Sequence, residues 1–443
     1  MKETLLPLAE FIQRRQNFLD QMVDGSIAIF SANKEVTRSN DTEYPFCQNK
    51  NFYYLTGFNE PEAVLVLIKA KVSQSILFCL AKDPLQEVWH GRRIGYEKAK
   101  SDYGFEQSFS LDEIDELMSE YLSCAAAVYY LRGENSCFDQ QVYQWLDAVK
   151  AKSRQGITAP KQLIDCQNII EELRLIKSPD ELAIMRKVNV ISGKAHQRAM
   201  EKSASGQFEY QIEAEILHEF ARHGARHPAY NSIVAGGDNA NILHYTNNDQ
   251  LLNEGELLLI DAGGELAGYA ADITRTFPVN GLFTEPQKAL YQLVLDAQEH
   301  CIKAIKPQQT LANLNTLCCE ILTQGLLELG ILSGDYQTLL DDKACKKYFI
   351  HGLGHWLGLD VHDVGDYQVI DKKQTRAFAK GMVMTIEPGL YIPLDDESVD
   401  VKWRGIGIRI EDNIAVTDQG HENLTTNAPK SIAAIEQLMS QRH

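Results

Sequence analysis

The sequence predicts an α+β chain, with an α/β first part followed by a pseudo-symmetric second part built on a mostly antiparallel sheet. In the first part, short apolar runs (SIAIF, AVLVLI, SILFCL, AAVYYL) alternate with helical stretches such as LDEIDELMSEYL. In the second part, two helices precede a β-rich block, and the same order then recurs. A chain of 443 residues is long enough for two domains of this kind.

A helix-start signal marks the boundary between the two parts. Ser178 can cap a helix, Pro179 suits its first turn, and Glu181 completes a capping box. We therefore expect one domain over residues 1–175 and a second over residues 176–443.

The elements of the second domain follow from its helical and β-like segments. Helix pairs are expected near 179–203 with 208–223, and near 285–306 with 311–329, each pair followed by a β-rich block. The segment NAPKSIAAIEQLMSQRH predicts a surface helix at the end of the chain.

Composition excludes several classes of function. The net charge of −18 and pI near 5.2 argue against nucleic acid or an anionic membrane surface as the main partner. The N-terminal sequence lacks the pattern of a signal peptide, and the apolar run 63–68 is far shorter than a membrane span. Nine scattered cysteines without a CxxC pair are typical of reduced thiols, so a cytoplasmic location is expected.

Two aspartates flank a Gly-rich turn in LLLIDAGGELAGYAADITRTFPV. If residues 265–268 form the turn of a hairpin, Asp261 lies opposite Asp272, with Cβ atoms about 4.5–5.5 Å apart. Two carboxylates at that distance repel, which raises the pKa of one of them, and a divalent cation removes the repulsion. The alternative is that one aspartate is merely a turn residue.

Two glutamates end apolar β-like runs. Glu387 follows VMTI, and Glu411 follows GIRI. Arg409 is two residues from Glu411 on the same strand, so the two side chains share a face. There the Arg409 guanidinium could tune the charge of the Glu411 carboxylate or hold a substrate. Ordinary glutamates at strand ends are the alternative.

The segment HGLGHWLGLDVH carries His351, His355 and His362. The first two have the spacing of an HExxH zinc helix, but Gly352 replaces the glutamate, and the several glycines disfavour a regular helix. The pattern instead indicates glycines that allow close backbone approach while histidines point into a site. Satisfied core or surface histidines are the alternative.

Together, four carboxylates and at least one imidazole form an oxygen-rich donor set that suits Mn²⁺, Co²⁺ or similar ions. Five ligands are too many for one small ion unless some of them bridge. Bridging carboxylates hold metal pairs about 3.5–4 Å apart, so the residues predict a two-metal hydrolase.

These residues resemble the pita-bread metallopeptidases, which include methionine aminopeptidase, prolidase and aminopeptidase P. The resemblance covers 178–420 and is carried by DAGGELAGYAADITRTFPV, NILHYTNND, HGLGHWLGLDVHD, MVMTIEPGLYI and GIRIEDN. In the first part, EYPFCQNKNFYYLTGFNEPEAVLVLI looks like the N-terminal domain of bacterial aminopeptidase P. The implied reaction releases the N-terminal residue from a peptide whose second residue is proline.

The resemblance also implies a set of ligand roles. Asp261 and Asp272 would bind one divalent ion, His355 and Glu387 the other, and Asp272 and Glu411 would bridge, with Mn²⁺ the expected metal. A hydroxide shared by the two ions would attack the carbonyl carbon of the residue before proline, and Glu387 would accept its proton.

Substrate contacts are implied in the same way. His244, His351 and His362 match histidines that would contact substrate carbonyls and stabilise the tetrahedral oxyanion. Arg409 matches a family arginine beside the bridging glutamate.

Trp89 and Tyr367 are candidates for accepting the proline ring, and such pockets can include a residue of a neighbouring subunit. A homo-oligomer, dimer or tetramer, is therefore expected. In the loop 368–380, either Arg376 or a nearby lysine would take the part of a family arginine that affects substrate length.

Two alternatives stay open. Prolidase uses the same chemistry but requires the free carboxylate of a dipeptide. A creatinase-like enzyme, or a noncatalytic histone- or RNA-binding pita-bread protein, would have lost metal ligands, whereas all five positions are present here.

Overall fold

The computed structural model describes residues 5–369 and 374–441, and the chain divides into two compact units, residues 1–174 and 175–443. The units divide after residue 174, one residue before the boundary that the sequence predicts. Each unit has its own sheet and its own core, and each is described by itself.

The α-helices of the described residues are Leu8–Asp20 (α1), Lys50–Thr56 (α2), Pro84–His90 (α3), Tyr96–Tyr103 (α4), Ile114–Tyr121 (α5), Ser136–Lys150 (α6), Gln167–Leu175 (α7), Pro179–Lys202 (α8), Glu209–Arg222 (α9), Glu285–Lys303 (α10), Leu311–Glu328 (α11), Tyr336–Asp341 (α12) and Ile432–Ser440 (α13). Short 3₁₀ helices are Leu111–Glu113, Ser153–Gln155, Gly237–Asn241, Ala344–Lys347 and Val401–Trp403. None of these described helices has the length and apolar content that crossing a membrane requires.

The strands are Ile27–Ser31 (β1), Thr37–Ser39 (β2), Thr42–Glu43 (β3), Val64–Ile68 (β4), Gln74–Cys79 (β5), Gln107–Ser110 (β6), Ala127–Tyr130 (β7), Gln162–Asp165 (β8), His227–Pro228 (β9), Ile233–Gly236 (β10), Leu257–Asp261 (β11), Gly264–Leu266 (β12), Tyr269–Ala270 (β13), Thr274–Pro278 (β14), Gln368–Val369 (β15), Gln374–Thr375 (β16), Val383–Ile386 (β17), Gly389–Ile392 (β18), Ile406–Arg409 (β19), Asp412–Val416 (β20) and His421–Asn423 (β21).

The first unit is built on a mixed sheet of order β6-β5-β4-β1-β7-β8. The apolar runs identified in the sequence form β1, β4, β5 and β7, which are buried because both faces of a mixed sheet are covered. Met118 of α5 and Trp145 of α6 pack into the same core as Val66 and Phe78. The α/β character expected for this part is confirmed.

The second unit repeats a helix pair and a β-rich block, as its sequence predicts. Helices α8 and α9 pack together, as do α10 and α11. All described strand pairings in this unit are antiparallel, in sheets ordered β10-β11-β14, β13-β12-β9, β17-β20-β21, β18-β19 and β15-β16. The expected antiparallel, pseudo-symmetric α+β domain is therefore confirmed.

The start of α8 has the predicted capping box. The Ser178 backbone N–H donates to Glu181 Oε2 (2.9 Å), and the Glu181 N–H donates to Ser178 Oγ (3.3 Å). A cap of this kind contributes about 1 kcal/mol to helix stability. It fixes where α8 begins, and therefore which of its residues face the sheet.

The hairpin carrying the two aspartates has a different register from the expected one. Asp261 pairs with Thr274, not with Asp272, because the turn consists of Ala267 and Gly268 alone. Both turn residues have positive φ, 51° and 86°, as a tight two-residue hairpin turn requires. Asp272 therefore lies outside the β11–β14 ladder, just before β14.

The final helix is only partly the surface helix that the sequence predicted. Ile435 and Met439, one turn apart, are buried in the core of the second unit, while the opposite face is exposed. The helix packs against α8, so the end of the described chain contributes to the core.

Candidate metal centre

The second unit contains a cavity of about 480 Å³ at the ends of its central strands. Most of the residues singled out in the sequence line it: Asp261, Asp272, His355, Glu387, Glu411, His244, His351, His362 and Arg409. The remaining lining residues are Tyr230, Asn231, Ile233, Leu243, Thr246, Gly352, Gly354 and Val361.

The five expected ligands come from both halves of the domain. Asp261 ends β11 and Asp272 precedes β14, whereas Glu387 follows β17 and Glu411 lies between β19 and β20. Ligand atoms of Asp272, His355 and Glu411 all lie within 4.8 Å of one another. His355 Nε2 is 3.4 Å from Asp272 Oδ2 and 3.5 Å from Glu387 Oε1.

Two side chains contact the aspartates: Tyr230 lies between both of them, and Arg409 binds Asp261. The Tyr230 hydroxyl lies 2.5 Å from Oδ1 of Asp261 and 2.5 Å from Oδ1 of Asp272. Arg409 Nη2 donates to Asp261 Oδ2 at 2.7 Å. Sequence reasoning identified Arg409 but missed Tyr230, which lies before β10 and has no pattern that links it to the hairpin.

Two threonines orient the glutamates. Thr274 Oγ1 donates to Glu411 Oε2 at 2.6 Å, and Thr385 Oγ1 donates to Glu387 Oε1 at 3.2 Å. Thr385 Oγ1 also accepts from the His355 backbone N–H at 3.0 Å. Thr385 is two residues from the glutamate that it contacts, so the two-residue period of a strand was a usable signal for it. Thr274 and Glu411 are far apart along the chain, so spacing gave no signal for that contact.

The carboxylates are buried close together, and their pKa values reflect this. Burial, reinforced by the charge of Asp261, raises the pKa of Asp272 to about 6. Burial also raises the pKa of Glu387 to about 7, against the opposing charge of His355 and with the support of Asp272. Burial and the charges of Asp272, Glu387 and Asp261 hold the pKa of Glu411 well above its usual range.

The pKa values of His355 and Asp261 are set by charged neighbours that act against burial. Burial acts to lower the pKa of His355, but the Asp272 and Glu387 carboxylates outweigh it and raise that pKa to about 9. Burial acts to raise the pKa of Asp261, but the Arg409 guanidinium outweighs it and lowers that pKa. The cluster therefore holds more negative charge than its own cations compensate. Its donor set of carboxylate oxygens and one imidazole fits divalent ions of the Mn²⁺ class.

His351 Nδ1 lies 3.8 Å from Glu387 Oε2, but the hydrogen bonds of the ring are made to other groups. Its Nδ1–H donates to the Gly352 carbonyl at 2.7 Å, so its Nε2 accepts from the Tyr391 hydroxyl at 2.7 Å. The Tyr391 hydroxyl in turn accepts from Arg409 Nη1 at 2.9 Å. Burial, with the Arg409 charge, lowers the pKa of His351 to about 4, so the ring is neutral at neutral pH.

The other histidines take different positions around the cavity. His355 Nδ1 donates to the Trp356 carbonyl at 2.9 Å, which turns Nε2 toward the carboxylates. The His362 ring lies 4.2 Å from the His355 ring, centroid to centroid, and burial together with His355 lowers the pKa of His362. His244 is exposed at the cavity wall. Of the four, His355 is the one whose ring nitrogen lies within 3.5 Å of two carboxylates.

The glycines of the histidine segment have structural reasons of their own. A Cβ on Gly354 would lie 2.0 Å from the Thr385 carbonyl oxygen, and one on Gly358 would lie 2.1 Å from Asp363 Oδ2. Gly352 has nothing within 4 Å of such a Cβ. The close approach that the sequence suggested is therefore made to a neighbouring strand and to Asp363 in the same loop.

The two aromatic candidates for the proline ring lie elsewhere. The Tyr367 hydroxyl accepts from the Trp356 N–H at 3.0 Å, and the two rings stack at 5.3 Å. Tyr367 is not among the described residues that line the cavity. Its hydroxyl and ring contact Trp356 of the histidine segment, so the substrate contact predicted for it stays a prediction. Trp89 is on α3 of the first unit, with 82% of its surface exposed.

The described basic residues of the loop 368–380 contact groups near them in the second unit. Lys372 and Lys373 lie outside the described residues. Arg376 Nε donates to the Asp366 carbonyl at 2.5 Å, and Lys380 Nζ is 2.8 Å from Asp418 Oδ2 at the surface.

Two family models match this chain. The model for metallopeptidase family M24 matches residues 183–418, and the model for the aminopeptidase P N-terminal domain matches residues 11–129.

Curated relatives match nearly the whole chain. The Xaa-Pro aminopeptidase of Escherichia coli is 47% identical, with 97% of each chain covered, and that of Haemophilus influenzae is 45% identical, with 98% covered. Human Xaa-Pro aminopeptidase 3 is 36% identical over 99% of this chain and 85% of its own.

Solved structures show the same fold. A zinc-substituted E. coli aminopeptidase P in complex with product superposes with a TM-score of 0.96, at 47% identity and 98% coverage of both chains. The low-pH form of E. coli aminopeptidase P gives the same values.

The glycine contacts predict a contrast between two alanine substitutions. Gly354→Ala should lower the free energy of unfolding by about 3 kcal/mol, because its Cβ meets a backbone carbonyl that cannot move freely. The matched control Gly352→Ala should change it by less than about 0.5 kcal/mol. Urea denaturation of the two metal-free variants measures both effects, and equal losses would contradict this account.

The pKa shifts predict how strongly a divalent ion stabilises the protein as pH changes. Asp272 is raised from 3.8 to about 6, Glu387 from 4.5 to about 7, and His355 from 6.5 to about 9. In each window the folded metal-free state holds more protons than the unfolded state, so its stability falls as pH rises.

A metal ion replaces those protons, so the melting-temperature gain on adding Mn²⁺ should grow from pH 5 to pH 8. Calorimetry of chelator-treated and Mn²⁺-loaded protein measures the gain, and groups that titrate identically in both forms cancel. A gain that is constant between pH 5 and pH 8 would contradict the assignment of these groups as ligands.

Proposed function

The chain belongs to metallopeptidase family M24, in its aminopeptidase P branch, and on that basis we propose that it is an Xaa-Pro aminopeptidase that acts through a dinuclear metal centre. The observation that carries the proposal is the convergence of Asp272, His355 and Glu411 in one cavity with two further carboxylates. Relatives named for this activity match the chain over almost its full length.

The proposed ligand assignment has Asp261 and Asp272 on one ion, His355 and Glu387 on the other, and Asp272 and Glu411 shared. The distances of His355 Nε2 to Asp272 and Glu387 support it. Two divalent ions, proposed to be Mn²⁺, would supply a shared hydroxide at neutral pH and polarise the scissile carbonyl.

The protein's own groups would handle the proton and the substrate. Glu387, which has one oxygen held by Thr385 and lies beside the other carboxylates, is proposed to accept a proton from water and deliver it to the leaving nitrogen. His362 and His244 would donate hydrogen bonds to substrate carbonyls and to the developing oxyanion, since both line the cavity. His351 lines it as well and would contact the substrate at the same wall, although its one ring N–H donates to the Gly352 carbonyl.

The substrate class follows from the chemistry of proline. An Xaa-Pro bond has no N–H, so a site that recognises it cannot rely on that donor. We propose peptides with proline at the second position as substrates, held by the apolar wall formed by Ile233, Leu243 and Val361 together with the histidines.

Residues 1–175 are proposed as the N-terminal aminopeptidase P domain and residues 176–443 as the catalytic domain. A homo-oligomer is proposed, in which the exposed Trp89 is available to a neighbouring subunit. A cytoplasmic location is proposed because all nine cysteines are free thiols.

The choice between aminopeptidase and prolidase is tested by substrate length. With Mn²⁺ supplied, we expect release of the first residue from Xaa-Pro-Yaa peptides at least as fast as from Xaa-Pro dipeptides, measured as kcat/KM. An Asp272→Asn control should bind less metal and lose activity on both. Strict preference for dipeptides would favour prolidase, and absence of hydrolysis with metal bound would remove the catalytic proposal.

The histidines should separate into two classes. His355→Ala should lose bound metal, because this residue reaches the carboxylates. His351→Ala and His362→Ala should keep metal within the error of elemental analysis but lower kcat. For His362→Ala we expect about 10²–10³-fold, the usual effect of losing an oxyanion donor. For His351→Ala the loss should come from the Tyr391 hydroxyl, which no longer has its acceptor. Metal loss in all three variants would contradict the division.

A further inference from the structure

Helix α8 presents a line of buried polar side chains to the segment between the two aspartates. Glu181, Ser192 and His196 lie on its buried face, with Ser192 and His196 one turn apart. None of the three is more than 2% exposed. Polar groups that deep in a core are retained where they have hydrogen-bond partners.

Each of these side chains contacts the hairpin. Glu181 Oε1 accepts from the Tyr269 hydroxyl at 2.7 Å, and Ser192 Oγ accepts from the Gly264 N–H at 3.0 Å. His196 Nε2 lies 3.0 Å from the carbonyl oxygen of Ala262, the residue directly after Asp261.

The contact fixes the state of the His196 ring. A carbonyl oxygen only accepts, so Nε2 carries the proton and donates, while Nδ1 has no hydrogen-bond partner among the described residues. Burial lowers the pKa of His196 to about 4, against the effect of the Ala262 and Ile273 backbone, so the ring is neutral. A buried nitrogen without a partner costs free energy, and the hydrogen bond from Nε2 to the Ala262 carbonyl offsets part of that cost.

The Ala262 backbone links the segments that carry the two aspartates, because its N–H donates to the carbonyl of Ile273, the residue after Asp272, at 3.0 Å. Asp261 faces Thr274, and the chain changes sheets between β11 and β12. The strands come so close here that a Cβ on Gly263 would lie 1.7 Å from the Ala271 carbonyl oxygen. A small displacement of Ala262 would therefore move Asp261 relative to Asp272.

We propose that His196 is a positioning residue that holds the Ala262 carbonyl and thereby sets the spacing of Asp261 and Asp272 for metal binding. The proposal rests on the proposed metal centre. Helix α8 contributes no proposed ligand, so its effect on ion affinity would act through the position of Ala262. Residues behind the ligands of a metal site typically alter affinity 10–100-fold when replaced.

The chain offers a matched control on the same helix. Asn189 is fully buried on α8, but its amide donates to the Met185 carbonyl within the helix itself. Asn189→Leu and His196→Leu both replace a buried polar side chain on α8 with leucine, and only His196→Leu removes a contact to the hairpin.

The experiment measures Mn²⁺ affinity by chelator competition, together with melting temperature, in full-length protein without substrate. We expect His196→Leu to weaken Mn²⁺ binding about 10–100-fold, and His196→Gln, whose amide nitrogen replaces Nε2, to stay within about threefold of the wild type. Asn189→Leu should keep its affinity even if its melting temperature falls.

A second pair of variants covers the case in which His196→Leu fails to fold. His196→Asn places its amide too far from Ala262, so it should lose affinity where His196→Gln does not. Unchanged Mn²⁺ affinity in His196→Leu or His196→Asn, or an equal loss in Asn189→Leu, would overturn the proposal. A wild type that binds no Mn²⁺ would overturn it as well. Wild-type protein that binds Mn²⁺ but cleaves no Xaa-Pro peptide would defeat the proposed function while leaving this test valid.

Discussion

Several carboxylates are buried in one cavity of the second unit, and their mutual repulsion is the interaction that the surrounding structure has to balance. Two charges about 4 Å apart interact by about 4 kcal/mol at the effective dielectric of a protein, comparable to much of a domain's net stability. Among the described residues that line the cavity, His355 and Arg409 are the cations that offset four acidic groups, and three of the carboxyl pKa values are raised. Protons or metal ions must supply the missing positive charge.

The surrounding structure keeps those groups together in spite of the repulsion. Tyr230 and Arg409 hold the aspartates, and Thr274 and Thr385 hold the glutamates. Each acts through a hydrogen bond to an oxygen, which leaves the other lone pairs of the carboxylate for a cation. The scaffold therefore stores an arrangement that is unfavourable alone and becomes favourable when a metal is bound.

The acidic residues of the site could be predicted, because each of them ends or flanks an apolar β-like run that a single sequence shows. The order of ligands from Asp261 to Glu411 needed no tertiary information. The hairpin register did not follow, because a turn at 265–268 and a turn at Ala267–Gly268 fit the same residues, and only local backbone conformation separates them. Tyr230 and the Gly354–Thr385 approach are long-range contacts, which spacing along the chain does not encode.

The division of ligands between the two halves of the domain has a consequence for biosynthesis. Asp261 and Asp272 leave the ribosome well before Glu387 and Glu411, and translation at about 5–20 residues per second makes the delay on the order of ten seconds. During that interval the nascent chain has two acidic side chains but no complete centre. Metal loading at the proposed centre would therefore be confined to chains whose second half has emerged and folded, so truncated products would remain unloaded.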